Sequence, residues 1–240
     1  MADKQYFFSR ETGDKQVILD TDESKHCIRV LRHRKGDHLE VLDGRGNLYY
    51  CTLMEANPAR AVLMVDLKLK TEPMRSFYLH IAIGPTKHLN RFEIFLEKAT
   101  EIGIDEITPV ISAHSERRNL RTERLEKVLI SAMKQSGQGI LPLLHPPVGI
   151  AQFIRQDPAG VRFIAHCLDP DLPPLAAADI PSTRITILIG PEGGFTTEEV
   201  KNAVEHDFRE VSLGKSRLRT ETAAITAVAT LHARMIFKNR

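Results

Sequence analysis

The chain has 240 residues, a length that suits one large domain or two of modest size. Hydrophobic residues make up 42% and charged residues 27%, which excludes a wholly disordered chain. The formal net charge of +2 excludes strong overall attraction to polyanions, so nucleic-acid binding would need a local basic patch.

The first part of the chain has the pattern of short strands separated by glycine-containing turns. Strands are predicted at Val17 to Leu19, His38 to Leu42, Leu48 to Met54 and Ala61 to Leu69. The segment 43–47 (Asp-Gly-Arg-Gly-Asn) predicts a hairpin turn, because its glycines can adopt a positive φ. A helix capped by Asp22 is predicted over 23–32. The pattern therefore predicts a small β-barrel that carries one helix.

The polar stretch around residues 70–76 marks a boundary between two predicted domains, 1–72 and 73–240. Beyond it, strands alternate with helices. Strands are predicted at 77–83, 106–111, 161–165, 185–189 and about 210–213, and helices at 90–102 after an Asn90 cap, from Thr122, from Thr196 and at about 221–237. Such alternation predicts a parallel α/β sheet.

A glycine-rich loop, 190–195 (Gly-Pro-Glu-Gly-Gly-Phe), follows the continuously apolar strand 185–189. Open α/β sheets bind ligands at the carboxyl ends of their strands, and glycines let the backbone approach a flat ligand closely. A tight turn is the simpler alternative, but six consecutive unusual residues favour a site. The loop lacks a Gly-Lys-Ser/Thr ending, and Glu198 and Glu199 would repel phosphate, so a nucleotide triphosphatase is disfavoured.

A second strand-to-helix junction, 212–224, passes through Gly214 and carries Arg217 and Arg219. Thr220 as a helix cap and Glu221 as a partner of the helix dipole account for part of this segment. Those roles do not explain two arginines at the mouth of the sheet. The pattern favours a site where cations meet a phosphate or a developing anion.

These two loops, Ile189-Gly-Pro-Glu-Gly-Gly-Phe195 and Leu213-Gly-x-x-x-Leu-Arg-x-Glu-Thr-Ala223, resemble those of the RsmE family of 16S rRNA (uracil N3) methyltransferases, of the SPOUT class. The resemblance continues through 92–103, 107–109, 114–117, 134–136, 29–32 and 43–46. The chain departs from the family at Lys134, where an acidic residue is common, and at Lys215 and Ser216, where Pro-Arg is common.

The resemblance implies a PUA-like RNA-binding β-barrel over 1–72, followed by a SPOUT methyltransferase domain over 73–240 whose C-terminal segment forms a trefoil knot. It also implies a homodimer, S-adenosyl-L-methionine as cofactor, and methylation of uridine N3 in 16S rRNA of the small ribosomal subunit. Two alternatives stay open: a SPOUT enzyme that methylates ribose 2′-O, and a non-catalytic RNA-binding factor in ribosome assembly.

By matching positions, the resemblance implies a cofactor site formed by Leu168, Ile189, Gly190, Glu192, Gly194, Leu213, Gly214, Leu218, Arg219 and Thr222. Our hypothesis for catalysis is that Arg219 stabilises the anion that develops on the base, while Glu221 holds that arginine or acts as the base. Positioning should dominate methyl transfer from a sulfonium, so no metal is expected.

Basic residues cluster at two places that suit RNA phosphates. They are Arg29, Arg32, Arg34 and Lys35 near the end of the first helix, and Arg117 and Arg118 before the Thr122 helix. In isolation, such cations are often only partners of a helix dipole. Three scattered cysteines, and no apolar run near the ~20 residues needed to span a bilayer, predict a cytoplasmic protein without a membrane partner.

Overall fold

The computed structural model describes residues 5–71, 75–156 and 158–238, which form two compact units. The first unit contains the described residues up to 71 together with Ile130–Leu141, and the second contains Arg75–Leu129 together with the residues from Pro142 onward. Within these ranges, no helix is both long and apolar enough to cross a membrane.

The first unit is built on a six-stranded sheet in the order β1-β4-β5-β6-β3-β2. Its strands are β1 (Tyr6–Phe8), β2 (Glu11–Thr12), β3 (Gln16–Ile18), β4 (His38–Leu42), β5 (Asn47–Glu55) and β6 (Val62–Lys70). Ser9 lies between β1 and β2 and joins the two edges of the sheet. Its N–H donates to the carbonyl of Leu42 at 3.1 Å, and its hydroxyl donates to that of Ile18 at 2.5 Å. The sheet therefore curls into the predicted barrel.

The interior of this barrel is apolar, and a short helix packs against it. Its buried residues are Phe7, Val17, Leu19, Cys27, Leu39, Val41, Tyr49, Cys51, Leu53, Ala61 and Leu63. The helix α1 (Thr21–Lys25) continues as one π-helical segment, His26–Val30. Its cap is Asp20, whose side chain accepts from the N–H of Glu23 at 2.8 Å. The predicted Asp22 cap is wrong, because Asp22 already lies inside the first turn.

The turn 43–47 connects β4 to β5 as predicted, with φ of 70° at Gly44 and 88° at Gly46. It also pairs with the segment that rejoins this unit. The N–H of Gly46 donates to the carbonyl of Gly139 at 2.9 Å, and the N–H of Leu141 donates to that of Gly44 at 2.9 Å. The glycine-rich turn thus binds a distant part of the chain to the barrel.

Lys134, the residue at which the chain departs from the family pattern, has a structural partner in the same unit. Its Nζ lies 2.5 Å from Oε1 of Glu23, and the other carboxylate oxygen accepts from the N–H of Phe8 at 3.1 Å. Both charged side chains are largely buried. A paired lysine therefore secures the segment 130–141 to the barrel.

The second unit contains a parallel sheet whose main path runs β10-β8-β7-β12-β11-β13, with β9 also paired to β8. The strands are β7 (Tyr78–Ile83), β8 (Glu106–Ile111), β9 (Leu143–Leu144), β10 (Val148–Gly149), β11 (Val161–Ala165), β12 (Arg184–Ile189) and β13 (Phe208–Val211). Its helices are α2 (Leu89–Ile102), α4 (Ile150–Arg155), α5 (Thr197–Val204) and α6 (Thr220–Lys238), and α3 (Thr122–Ser136) begins in this unit and passes into the first at Ile130. This alternation confirms the predicted α/β class.

The cap of α2 and the start of β13 lie two residues before the predicted ones. The cap of α2 is His88, in extended conformation and without a side-chain hydrogen bond, so Asn90 already lies within the helix. Strand β13 starts about two residues before the predicted position, because buried Phe208 belongs to it. By contrast, Gly103 ends α2 with a φ of 117°, and Thr196 and Glu199 form the predicted capping box of α5.

The register of the sheet determines where a ligand can bind. Ala165 at the end of β11 pairs with Ile189 at the end of β12 and with Val211 at the end of β13. These three strands are parallel and end level with one another. The loops that follow them therefore emerge side by side at one edge of the sheet.

Candidate functional site

The loops after β12 and β13 each present a glycine beside open space. Gly194 has a φ of 71° and Gly214 a φ of 122°, and residues that carry a side chain rarely adopt this backbone conformation. A Cβ added to either glycine would meet no atom of the described chain within 4 Å. The backbone at both positions therefore borders space that a ligand could enter.

A third glycine supports the β12 loop from the neighbouring strand. The N–H of Gly84, directly after β7, donates to the carbonyl of Ile189 at 2.8 Å. A Cβ at Gly84 would lie 2.4 Å from the backbone nitrogen of Pro191. Only glycine allows this close approach, so Gly84 positions the loop although no sequence pattern marks it for that role.

Glu192 supports the loop between β7 and α2. Its Oε1 accepts from the N–H of Lys87 at 2.9 Å, and the carbonyl of Lys87 accepts from Nε and Nη2 of Arg117 at 3.2 and 2.9 Å. The Glu116 carboxylate, 2.8 Å from Lys87 Nζ, raises the pKa of that lysine. Two residues predicted to bind cofactor and RNA, Glu192 and Arg117, thus organise the rim of the site.

The loop after β8 packs against the glycine loop. His114 Nδ1 lies 3.3 Å from the carbonyl oxygen of Gly194, and a Cβ on Gly193 would lie 2.7 Å from the Cβ of His114. Glu199, besides its part in the capping box, accepts from the N–H of Ala113 at 2.8 Å. The start of α5 therefore holds this loop in place.

After β11 the chain presents an apolar side chain to solvent. Leu168 is 54% exposed, and its N–H donates to Nδ1 of His166 at 3.3 Å. The other ring nitrogen of His166 lies 3.0 Å from Oε1 of Glu210 on β13. A buried histidine thus fixes an exposed leucine at the edge of the sheet that carries the glycine loops.

The two catalytic candidates occupy different environments. Glu221 is buried, its Oε1 lies 3.8 Å from Nε of Arg91, and its Oε2 has no hydrogen-bond partner within the described chain. Arg219 is exposed and precedes α6. Positions two apart at a helix start do not face each other, which explains why Glu221 pairs with Arg91 and not with Arg219. No pattern in the sequence predicted Arg91.

The other predicted cofactor residues lie at the end of β12 or in the segments that come after β12 and β13. Ile189 is buried, Gly190, Leu213 and Leu218 are half-buried, and Thr222 is exposed in the first turn of α6. The predicted RNA-binding residues Arg29, Arg32, Arg34 and Lys35 are exposed on the first unit, and Arg118 is exposed on the second.

Models of known protein families match parts of both units. A family model described as an RNA methyltransferase domain matches residues 73–232, and one described as an RNA methyltransferase PUA domain matches 19–63. The ribosomal RNA small subunit methyltransferase E of Rickettsia conorii is 27% identical over 227 residues, which cover 93% of this chain and 92% of that protein.

Two crystal structures are similar over almost the whole chain. A probable rRNA methyltransferase from Porphyromonas gingivalis is 35% identical, with a TM-score of 0.89 and coverage of 98% of this chain and 99% of that one. The ribosomal RNA small subunit methyltransferase E of Neisseria gonorrhoeae, bound to S-adenosyl methionine, is 28% identical, with a TM-score of 0.86 and coverage of 96% and 98%.

Proposed function

The chain belongs to the RsmE family of RNA methyltransferases, and from this premise we propose that it transfers a methyl group from S-adenosylmethionine to N3 of a uridine in 16S rRNA of the small ribosomal subunit. The observation that carries the proposal is the open space beside Gly194 and Gly214, which follow the level ends of β12 and β13, the two parallel strands on either side of β11. A SPOUT enzyme acting on ribose 2′-O would share this cofactor loop, so the product distinguishes the two.

The residues around this space fit the proposed cofactor. Two glycines without side-chain bulk leave room for a flat adenosyl group, and the exposed Leu168 offers it an apolar surface. When bound, S-adenosylmethionine supplies a methyl group activated by the positive charge on sulfur. We propose that its site is lined by Leu168, Ile189, Gly190, Gly194, Leu213, Gly214, Leu218, Arg219 and Thr222, with Glu192 supporting the loop from its rim.

The chain's own residues must handle the proton and charge of the uracil imide. Loss of the N3 proton spreads negative charge onto the uracil oxygens, and N3 would then form its bond to the methyl carbon as the bond from that carbon to sulfur breaks, which leaves a neutral thioether. Arg219, exposed at the start of α6, stabilises that charge. The unpaired Oε2 of Glu221 accepts the proton, directly or through a water molecule, while Arg91 orients the carboxylate.

The basic residues of the first unit and Arg118 hold the RNA through its phosphates, so binding weakens steeply as salt rises. A homodimer and a C-terminal knot complete this proposal, as the resemblance to the family implies. The small ribosomal subunit as substrate places the protein in the cytoplasm.

Incorporation of a radiolabelled methyl group into purified 30S subunits tests the proposal. Arg219→Ala and Glu221→Gln should lower the turnover number by about 100-fold or more, the scale of general acid–base and electrostatic contributions. Arg155→Ala is the matched control, because Arg155 is an exposed arginine at the end of α4. Cofactor binding without incorporation by the wild-type chain would favour a non-catalytic assembly factor. Near-normal turnover of both site variants at saturating substrates would contradict the assigned roles.

A further inference from the structure

Two imidazoles and a carboxylate converge at the amino end of the second unit's sheet, the edge opposite the glycine loops. His80 lies on β7, Glu106 begins β8, and His145 follows β9. Oε2 of Glu106 lies 2.9 Å from Nε2 of His145 and 3.6 Å from Nδ1 of His80. One ligand atom from each residue lies within 4.8 Å of the other two. The methyl-transfer reaction proposed above uses none of them.

We propose that His80, Glu106 and His145 bind a divalent transition-metal ion, with zinc the preferred ion. Two ligand atoms of a tetrahedral zinc site, each about 2.1 Å from the metal, are about 3.4 Å apart. The two separations to Glu106, 2.9 and 3.6 Å, lie on either side of this value, and all three ligand atoms lie within 4.8 Å of one another, so Glu106 already has the spacing of a zinc ligand to both rings. Two ring nitrogens and one carboxylate suit zinc, whereas calcium and magnesium prefer oxygen ligands.

Further groups hold the side chains of His80 and Glu106 and the backbone of His145 in place. His80 Nε2 lies 2.8 Å from the Thr108 hydroxyl, which leaves Nδ1 facing Glu106. The Tyr78 hydroxyl donates to the other oxygen of Glu106, and the backbone N–H of His145 donates to the carbonyl of Ile107 on β8, which fixes the backbone that carries the ring. Partners of this kind orient ligands at metal sites, so the donors are arranged before an ion arrives.

An ordinary ion pair accounts for only part of the cluster. A protonated His145 would pair with Glu106 alone, and His80 would have no part in that pair. Burial lowers the pKa of His80 to about 4, so its ring is neutral near pH 7, the form that binds metals. An ion bound by all three groups would also engage Nδ1 of His80, which lies 3.6 Å from Oε2 of Glu106.

A cavity of about 410 Å³ opens onto the cluster and is lined also by Gln152 and Gln156. Three protein ligands next to an open volume leave a fourth coordination position free for water. Across the cavity, Arg184 stacks on Tyr78 with its guanidinium carbon 3.9 Å from the ring centroid, and its positive charge acts on His80. The positive charge of Arg184 repels a metal ion, so removing this charge should strengthen metal binding.

The direct test is titration of the metal-stripped full chain with Zn²⁺ by isothermal calorimetry. We expect one ion per chain, and affinity at least roughly ten-fold weaker in His80→Ala and in His145→Ala. Arg184→Ala should bind more tightly. The matched control is His38→Ala, because His38 forms an exposed histidine–carboxylate pair with Asp66, at 3.9 Å, that belongs to no three-residue cluster in the described chain.

Cobalt supplies a readout that needs no variant. Co²⁺ added to the metal-stripped wild-type chain should give the intense visible absorption of a tetrahedral complex, and Zn²⁺ should displace it. Absence of that absorption would overturn the proposal. Unchanged zinc affinity in folded His80→Ala and His145→Ala chains would overturn it as well.

Discussion

Replacing Gly194 with alanine should have two separate effects. The strained backbone lowers the stability of the protein, and the added methyl group lowers its affinity for a ligand. Gly194 has a φ of 71°, and its added Cβ would meet no atom of the described chain within 4 Å. Only the left-handed conformation therefore destabilises the ligand-free variant, by about 1–2 kcal/mol. For a chain of this size that lowers the Tm by about 2–8 °C.

The effect on cofactor binding should be larger than that loss of stability. A methyl group forced into an occupied site costs about 1–3 kcal/mol, which corresponds to about 5- to 150-fold weaker binding. Gly36→Ala is the matched control, because Gly36 has a φ of 97° and open space around it but lies in the barrel unit. Calorimetric titration with S-adenosylmethionine and thermal unfolding measure both quantities. Equal cofactor affinities for the two variants would refute the assignment of the space at Gly194.

Three further predictions concern packing and the buried thiols. Gly84→Ala places a Cβ 2.4 Å from the Pro191 nitrogen, so we expect about 1–3 kcal/mol of destabilisation in denaturant unfolding together with weaker cofactor binding; wild-type behaviour would contradict the contact. In a thiol assay of the native chain, only exposed Cys167 should react rapidly, because Cys27 and Cys51 are buried; three fast thiols would contradict the packing of the barrel. Burial raises the pKa of Cys27 to about 11 and of Cys51 to about 12. Unfolding therefore releases protons above pH 9, and the free energy of unfolding should fall from pH 9 upward, less so in Cys51→Ala; a pH-independent value would contradict this linkage.

Much of the fold could be predicted because its signals are local. The apolar strand before the glycine loop, the glycine that ends α2 and the capping box at Thr196 each depend on residues a few positions apart. The pairing of Gly46 with Gly139 could not be predicted, because the sequence pattern of neither segment indicates which distant segment it will contact. The Asp22 error is of another kind, since Asp20 and Asp22 are both good caps and only the backbone conformation distinguishes them.

The candidate site divides in the same way. Glycines between strand and helix indicated the loops, and the resemblance to a family gave them a ligand. The role of Gly84 stayed hidden because it depends on β7 lying next to β12, and that of Arg91 because it depends on α2 packing against α6; no local pattern encodes either arrangement. The ligands of the proposed metal site are equally far apart in sequence and meet only because β7, β8 and β9 pair at their amino ends. The expectation of no metal came from the chemistry of methyl transfer, and no spacing in the sequence marked these three residues as ligands.

The identity of the methylated nucleoside shows whether the chain methylates uridine N3. Small ribosomal subunits lacking the modification would be incubated with the purified chain and S-adenosylmethionine, and the digested 16S rRNA analysed by mass spectrometry against nucleoside standards. We predict 3-methyluridine, formed by the wild-type chain and strongly reduced with Arg219→Ala. A 2′-O-methylated nucleoside, or no methylated product despite cofactor binding, would contradict it.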